Sequence, residues 1–442
     1  MTSIRQRVGG GLGRPFWTVL SASALANLAD GVFWVALPLL AVGLTDSPAL
    51  VAGVTVASRL PWLVFSLIAG ALADRLDRRR TMILVDVGRV ILLGALAAAV
   101  FTDVATIWLL YVVAFLLGVL ETLFDTAAQS MLPNVVSDNE RLTAANSRLW
   151  GVELTMNQFV GPPLGGLLAA TGLAVAFGAS AAAYLGAALL LITLTGTFRA
   201  DRTGPPTRIL HDIGEGMRYQ FGHSLLRTMA IVVGLLNLAG GAVWAVLVLY
   251  AVAPGPMGLD AVGFGLLLTA MAVGTVGGTF LAGFFEARLG KPNLLVVCIV
   301  VLALDHLVLA LTADPYVIGA VLAIGGLFLG AFNPVFVSLR MRIVPGHLLG
   351  RVVASFRLLG MGTLPIGALL GGLVAEAFGL RAVFIAAAAM TIVLLPARLV
   401  VTDARIAAAE AAALAAAELA TAAAAATGTA AGAAATTNEP EG

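Results

Sequence analysis

Charge is scarce in this 442-residue chain: Asp, Glu, Lys and Arg together make up 11% of it, and hydrophobic residues 60%. That balance excludes an ordinary soluble protein, which at this length needs far more polar surface to cover its core. Cysteine is nearly absent. Cys298 stands alone inside an apolar run, so a disulfide framework and a cysteine metal cluster are both excluded. Lys291 is the single lysine, and no stretch reads G-x-x-x-x-G-K-[ST], which removes this kind of ATP loop as an energy source. His211, His223 and His347 fall in polar segments and suggest no metal site. No nucleophile–base set that would make an enzyme is visible. A net charge of +1 says little by itself, and no nucleic-acid partner is expected.

What is present is length and hydrophobicity in the right units. Mean hydropathy is +1.01, and runs of about 20 apolar residues, each enough to cross ~30 Å of hydrocarbon, recur twelve times: 16–43, 48–73, 81–101, 104–127, 143–170, 174–197, 226–250, 261–285, 293–311, 316–338, 353–377 and 382–401. The first is too long for the apolar core of a signal peptide and reads as a retained span. Arg5, Arg7 and Arg14 precede it, which places the N-terminus in the cytoplasm. Of the 25 Lys and Arg, all but Arg59, mid-span, and Arg381, in the last outer loop, then fall at or near the predicted cytoplasmic side. The outer loops carry Asp46, Asp103, Asp260 and Asp314 instead. This asymmetry sets both count and orientation.

The chain is built twice from one template. NLADGVFWVALPLLAV (Asn27 to Val42) and NLAGGAVWAVLVLYAV (Asn237 to Val252) agree at nine of sixteen positions. AGALADRLDR (Ala69 to Arg78) aligns with AGFFEARLGK (Ala282 to Lys291), and GPPLGG (Gly161 to Gly166) with GALLGG (Gly367 to Gly372). Six spans per copy keep the two copies in the same orientation, as parallel repeats about an axis along the membrane normal. The expected organisation is therefore a cytoplasmic N-terminus (1–15), a six-helix half (16–197), a cytoplasmic linker with a short interfacial helix (198–225), a second six-helix half (226–401) and an Ala-rich cytoplasmic tail (402–442). The tail's first part, 404–426, is expected to be helical and its end disordered.

Residues 70–80, GALADRLDRRR, pack six charges between Asp74 and Arg80, in a loop between two apolar runs. The pattern G-x-x-x-D-R-x-x-R-R-R resembles the signature loop between the second and third helices of the major facilitator superfamily. Twelve spans in two parallel halves and a long central linker agree with that resemblance, which covers about residues 15–402. Met131 to Gly166 and Ile213 to Arg227 resemble the branch containing the enterobactin exporter and macrolide efflux proteins. The resemblance implies an all-α membrane fold, alternating access by rocking of the two halves, and no cofactor beyond an ion gradient. In the family the loop holds the cytoplasmic side shut: Gly70 permits close approach, Asp74 faces a neighbouring helix start, and Arg75 and Arg78 pair with Asp125 of the fourth span. Gly161, Pro162, Pro163, Gly165 and Gly166 resemble a fifth-helix signature of proton-driven exporters and predict a bend there. One departure stands out: many drug exporters carry an arginine in the fourth span, whereas Leu116 to Gln129 carries Glu121 and Asp125.

Charges at mid-membrane are costly and mark functional sites. Asp30 lies ~21 Å along the first span at ~1.5 Å per residue, with Asn27 and Trp34 on its face. The repeat supplies a control: Asn27 and Trp34 have counterparts in Asn237 and Trp244, but Asp30 aligns with Gly240. The template folds without an acid here, so Asp30 is expected to serve proton or cation coupling. Arg59 of the second span lies at similar depth and is the expected ion-pair partner. Glu153 and Asn157 lie one turn apart on the fifth span and are expected to face the cavity. Ser137 to Glu140 reads as a capping box before that span. Asp305 and His306 suggest a relay, but the ninth span of this fold is usually peripheral, which favours local satisfaction. The expected function is proton-coupled export of hydrophobic or amphipathic small molecules, such as drugs, macrolide-like compounds or siderophores, by a monomer in a bacterial inner membrane. The partners are then substrate, protons and membrane lipid. Alternatives are an inward-directed nutrient transporter and a non-transporting membrane sensor or lipid-handling protein.

Overall fold

A computed structural model describes residues 12–73, 76–136, 141–196, 198, 209–416 and 418. Among these there is almost nothing but helix, because backbone groups inside hydrocarbon must be satisfied within their own segment. The first half comprises α1 (Gly13–Leu44), α2 (Pro48–Ala73), α3 (Arg78–Phe101), α4 (Ile107–Val135), α5 (Leu142–Leu154), α6 (Gly161–Thr171) and α7 (Leu173–Ile192). The second comprises α9 (Ser224–Ala251), α10 (Ala261–Leu311), α11 (Pro315–Ile343), α12 (Gly346–Phe378) and α13 (Leu380–Ile392), with α8 (Ile209–Gly222) between the halves. Among the described residues, ten helices are long and apolar enough to cross a membrane. The chain is a multi-pass membrane protein.

Two elements depart from a run of simple spans. The eighth and ninth spans are joined into one 51-residue helix, α10, broken only at Gly290, where φ is 73° and ψ 159°. Gly290 aligns with Asp77 in the repeat, so a glycine able to adopt positive φ makes in one residue the turn that the first half makes with a loop. The fifth span is not one helix either. A π turn, Thr155–Val160, separates α5 from α6. Its last bond runs from the Gly161 N–H to the Met156 carbonyl, five residues back. The next two residues, Pro162 and Pro163, have no N–H to donate, and the helix widens just ahead of them. The expected bend is thus a π turn before the proline pair, and Gly161 to Gly166 themselves are helical.

Sequence neighbours are not packing neighbours. Within the first half α1 lies chiefly against α7 and α6, α2 against α4, and α3 against α7 and α4. The crossings rely on glycine: a Cβ on Gly161 would stand 2.5 Å from the Gly31 Cα. The halves meet along two seams, α6 against α10 and α2 against α12. At the first, Gly166 faces the Ala261 carbonyl and Gly265 the Pro162 carbonyl; at the second, Gly372 faces Pro48, Ala49 and Ala52. Both seams lie toward the end bearing the turn between α1 and α2, called outer here after the charge asymmetry. The linker helix α8 is seated on the second half. Arg351 pairs with Glu215 at 2.5 Å, and the buried Ser355 hydroxyl donates to the buried Gln220 side-chain oxygen at 2.8 Å. Beyond α13 a short 3-10 turn, Leu395–Leu399, leads to a helix over 403–416, whose Ile406 joins the second half's core.

Candidate functional site

The first half buries an array of charge at mid-depth. Asp30 of α1 is 8% exposed, Asp86 of α3 0% and Arg89 of α3 1%. The Tyr184 hydroxyl of α7 donates to an Asp30 carboxylate oxygen. Arg89 lies 3.6 Å from Asp86, interacts with Asp30 and Glu121, and sits between two rings, 4.8 Å from Tyr184 and 5.0 Å from Phe124. A second group stands beside it. The Arg59 guanidinium of α2 stacks 4.0 Å over the Trp34 ring and interacts with Glu121 of α4. Asp125, one turn along α4, interacts with Glu121, Glu153, Asp30 and Arg89.

The expected Asp30–Arg59 ion pair is therefore not what the structure holds. The reason is the packing order. Asp30 leaves α1 toward α7 and α3, whereas Arg59 leaves α2 toward α4, and α1 and α2 touch little despite being consecutive. Tyr184 and Arg89 take the role expected of Arg59. Arg59 keeps contact with the first span through Trp34, four residues on from Asp30. Between the two groups lies a cavity with about 10 Å³ of water-accessible space, lined by Asp30, Trp34, Ser58, Arg89, Glu121 and Tyr184 among others. That is room for about one water and too little for an organic substrate.

The other expected residues fall in three places. Asn27 is buried and spends its amide on the Ser23 carbonyl of its own helix at 2.9 Å; its repeat counterpart Asn237 instead reaches α12, at the Gly360 carbonyl, 3.0 Å. Glu153, at the end of α5, and Asn157, in the π turn, are half-buried on the way to the inner side. Gly161 and Gly165 pack on α1 against Gly31 and Val32, while Pro162 and Gly166 face α10. In the loop motif, Gly70 is in the last turns of α2; Asp74 and Arg75 lie outside the described residues, as does the capping box Ser137 to Glu140. Arg78 opens α3. The loop's described contacts run to the end of α7. The Asp77 carboxylate accepts from the Arg80 N–H at 3.0 Å and the Phe198 N–H at 3.1 Å. Arg79 donates to the Leu191 and Ile192 carbonyls at 2.9 and 2.7 Å, in the last turn of α7, where helical donors run out; the Leu191 carbonyl also accepts from the Leu194 N–H at 3.2 Å. Partial burial pushes the Asp77 carboxyl up, but the two N–H bonds and the charges of Arg80 and Arg79 outweigh it and hold it below the usual carboxylate range.

Sequence reasoning missed Asp86, Arg89, Tyr184 and Arg357. The first two carried a signal: an i, i+3 acid–base pair inside an apolar run of α3. Tyr184 carried none beyond being one of few polar groups in α7. Arg357, exposed on α12, stacks 5.0 Å from the Trp62 ring of α2 and so bridges the halves at mid-depth. In the second half, Asp305 and His306 are buried; His306 lies 3.4 Å from the Thr391 hydroxyl, and Asp305 is pressed against Gly325.

The sequence profile of the family described as transmembrane secretion effector matches residues 13–430. The chain belongs to that family, within the major facilitator superfamily. This family member is 29% identical over 400 residues to the multidrug efflux pump Tap of Mycolicibacterium fortuitum, covering 84% of this chain and 92% of the relative. It is 29% identical over 396 residues to Tap of Mycobacterium tuberculosis, covering 85% and 90%. Among solved structures it is similar to a mutant of the nucleoside transporter NupG, TM-score 0.73 at 14% identity over 88% of this chain and 99% of that one. It is also similar to a bacterial homologue of the human lysosomal transporter Spinster, TM-score 0.70 at 13% identity over 87% and 95%. At such identities these likenesses are of fold: the major facilitator fold that the repeats and the loop motif led one to expect.

Proposed function

We propose that this protein is a proton-coupled exporter of hydrophobic or amphipathic small molecules, drug-like compounds first among them, working by alternating access as a monomer in a bacterial cell membrane with both termini cytoplasmic. The observation that carries the coupling is an imbalance. Among the described residues, four buried carboxyl groups of the first half, Asp30, Asp86, Glu121 and Asp125, interact with two guanidiniums, Arg59 and Arg89, while a fifth, the half-buried Glu153, interacts with Asp30 and Asp125 and with neither guanidinium. A low-dielectric interior does not hold three uncompensated negative charges, so protons are the natural counter-charge and their exchange the natural work of the site. The repeat supports Asp30 as the specialised acid, since Gly240 stands where Asp30 does. Export of drug-like compounds is supported by the relatives named as multidrug efflux pumps and by the polarity of the surroundings, where aromatic Trp34, Trp62 and Phe33 adjoin the charges.

The coupled step follows from the contacts. Substrate enters between the halves from the inner side, beside Glu153, Asn157 and Arg357. A proton arriving at Asp30 or Glu121 removes a charge that Arg89 and Arg59 now balance, and the freed guanidiniums repartition among the remaining carboxylates, biasing the halves toward the other orientation. In everted vesicles acidified inside, drug accumulation is expected to fall at least tenfold in Asp30→Asn and in Glu121→Gln, with protein level unchanged. Full gradient-dependent accumulation in both variants is the result that rejects proton coupling through this array.

A further inference from the structure

The two outer seams between the halves are related by the repeat, yet they end differently. At one, α10 begins with its own cap: the Asp260 carboxylate accepts from the Gly263 N–H at 2.7 Å. At the other, α2 begins at Pro48 without an acidic residue of its own in that role. Its exposed first-turn donors are met from the opposite half. Glu376 of α12 accepts from the Ala49 N–H at 3.2 Å and from the Ser47 hydroxyl at 2.8 Å. Ser47 in turn offers its oxygen to the Leu50 N–H at 3.4 Å. One turn deeper the same two helices are in glycine contact, with Gly372 against Ala49 and Ala52, above a small buried cluster of Ala52, Ala245 and Ala368.

A helix start wants an anionic acceptor, and here the acceptor is present only while the halves touch. We infer that Glu376 is an outer-gate residue: a cap of α2 that exists only in the outward-closed arrangement and thereby sets how long the transporter stays in it. This rests on the alternating-access reading. Separation of the halves leaves the Ala49 N–H and the Ser47 hydroxyl to water, whereas the other seam separates with Asp260 still capping α10. The two seams then make unequal contributions, and the α2–α12 seam is the one a single carboxylate controls.

Ala245, 2% exposed in the cluster beneath the seam, is a suitable reporter. The native cysteine, Cys298, is buried and is replaced by serine. In a Cys298→Ser, Ala245→Cys background, a membrane-impermeant maleimide added outside cells is expected to react slowly with the parent. With Glu376→Ala it should react at least fivefold faster, and with Glu376→Gln at an intermediate rate. The decisive variant adds Ser47→Asp to Glu376→Ala, which gives α2 a cap of its own in both arrangements. Labelling should remain high, because the repaired cap no longer favours closure. If Ser47→Asp restores slow labelling, Glu376 merely stabilises α2 and the gate role is wrong; unchanged labelling in Glu376→Ala overturns it too. Gly372→Leu, which wedges the seam, separates the two readings. Labelling with the wedge but not with Glu376→Ala rejects the latch alone. No labelling with either rejects the opening of this seam, and the alternating-access reading with it.

Discussion

At the residue scale, Arg89 anchors the buried array. It is 1% exposed and serves Asp86, Asp30 and Glu121 together with two aromatic rings. Removing one partner of a buried ionic group costs about 3–5 kcal/mol, whereas exchanging the whole pair for apolar residues is often neutral. Arg89→Ala is therefore expected to lower the unfolding temperature in detergent sharply, and Arg89→Leu combined with Asp86→Leu to lower it much less; equal losses would mean that the pair adds nothing to the fold. Asp77 makes a milder prediction. Its carboxyl is held below its usual range, so the bonds it makes to α3 and Phe198 are fully present above the ordinary carboxylate pKa of about 3.9 and are lost as pH falls through the depressed value. Exchange at the Arg80 and Phe198 amides should stay slow down to about pH 4 and speed up only below it, after correction for intrinsic rates; Asp77→Asn should speed it at neutral pH. Asp30 was legible in the sequence because an acid in hydrocarbon announces itself and the repeat showed it to be an addition. Its partner was not, since choosing between Arg59 and Arg89 requires knowing that α1 packs on α7 and not on α2.

At the scale of elements, glycine decides which helices cross closely. Gly31 and Gly161 bring α1 and α6 so near that a side chain on either meets backbone. Overpacking of this kind costs about 1–3 kcal/mol, occasionally more. Gly161→Val should accordingly reduce the yield of monodisperse protein and shift the π turn, with Gly172→Ala, at a helix end, serving as a strain control at positive φ. Because Asp30 is the neighbour of Gly31, the same crossing fixes the depth of the acid, and a Gly161 variant that still folds should lose gradient-driven transport. The helix count was legible from hydropathy, and the glycine–proline run was legible as a disturbance. Its form was not. Periodicity cannot distinguish a kink at the prolines from a widened turn before them, nor show that Gly290 would turn two spans into one broken 51-residue helix.

At the scale of the whole molecule, parallel repeats explain both the likeness of the halves and the places where they diverge. The buried array of acids and arginines sits in the first half, with Asp30 opposite Gly240; the linker helix α8 sits on the second, through Glu215, Arg351, Gln220 and Ser355. The linker was legible as a polar break, but which half it would join depends on a buried Gln–Ser contact that no composition reveals. If α8 moves with the second half, a crosslink between Glu215→Cys and Arg351→Cys should leave transport intact, whereas loss of transport would show that α8 must leave α12 during the cycle. The π turn has a consequence at this scale as well. Successive residues of an α-helix point ~100° apart, and a π turn admits about one residue more than the α turn it replaces. It therefore works as a phase shifter. The inner part of the fifth span can aim Glu153 and Asn157 in one direction while the outer part aims its glycines at α1 and α10 in another. Its counterpart α12 runs from Gly346 to Phe378 with no such turn and keeps one phase throughout. Two copies of one template thus differ by a rotation inside a single strut, and a rotation about the membrane normal cannot superimpose them: the molecule is two-fold in plan but not in the angular address of its side chains.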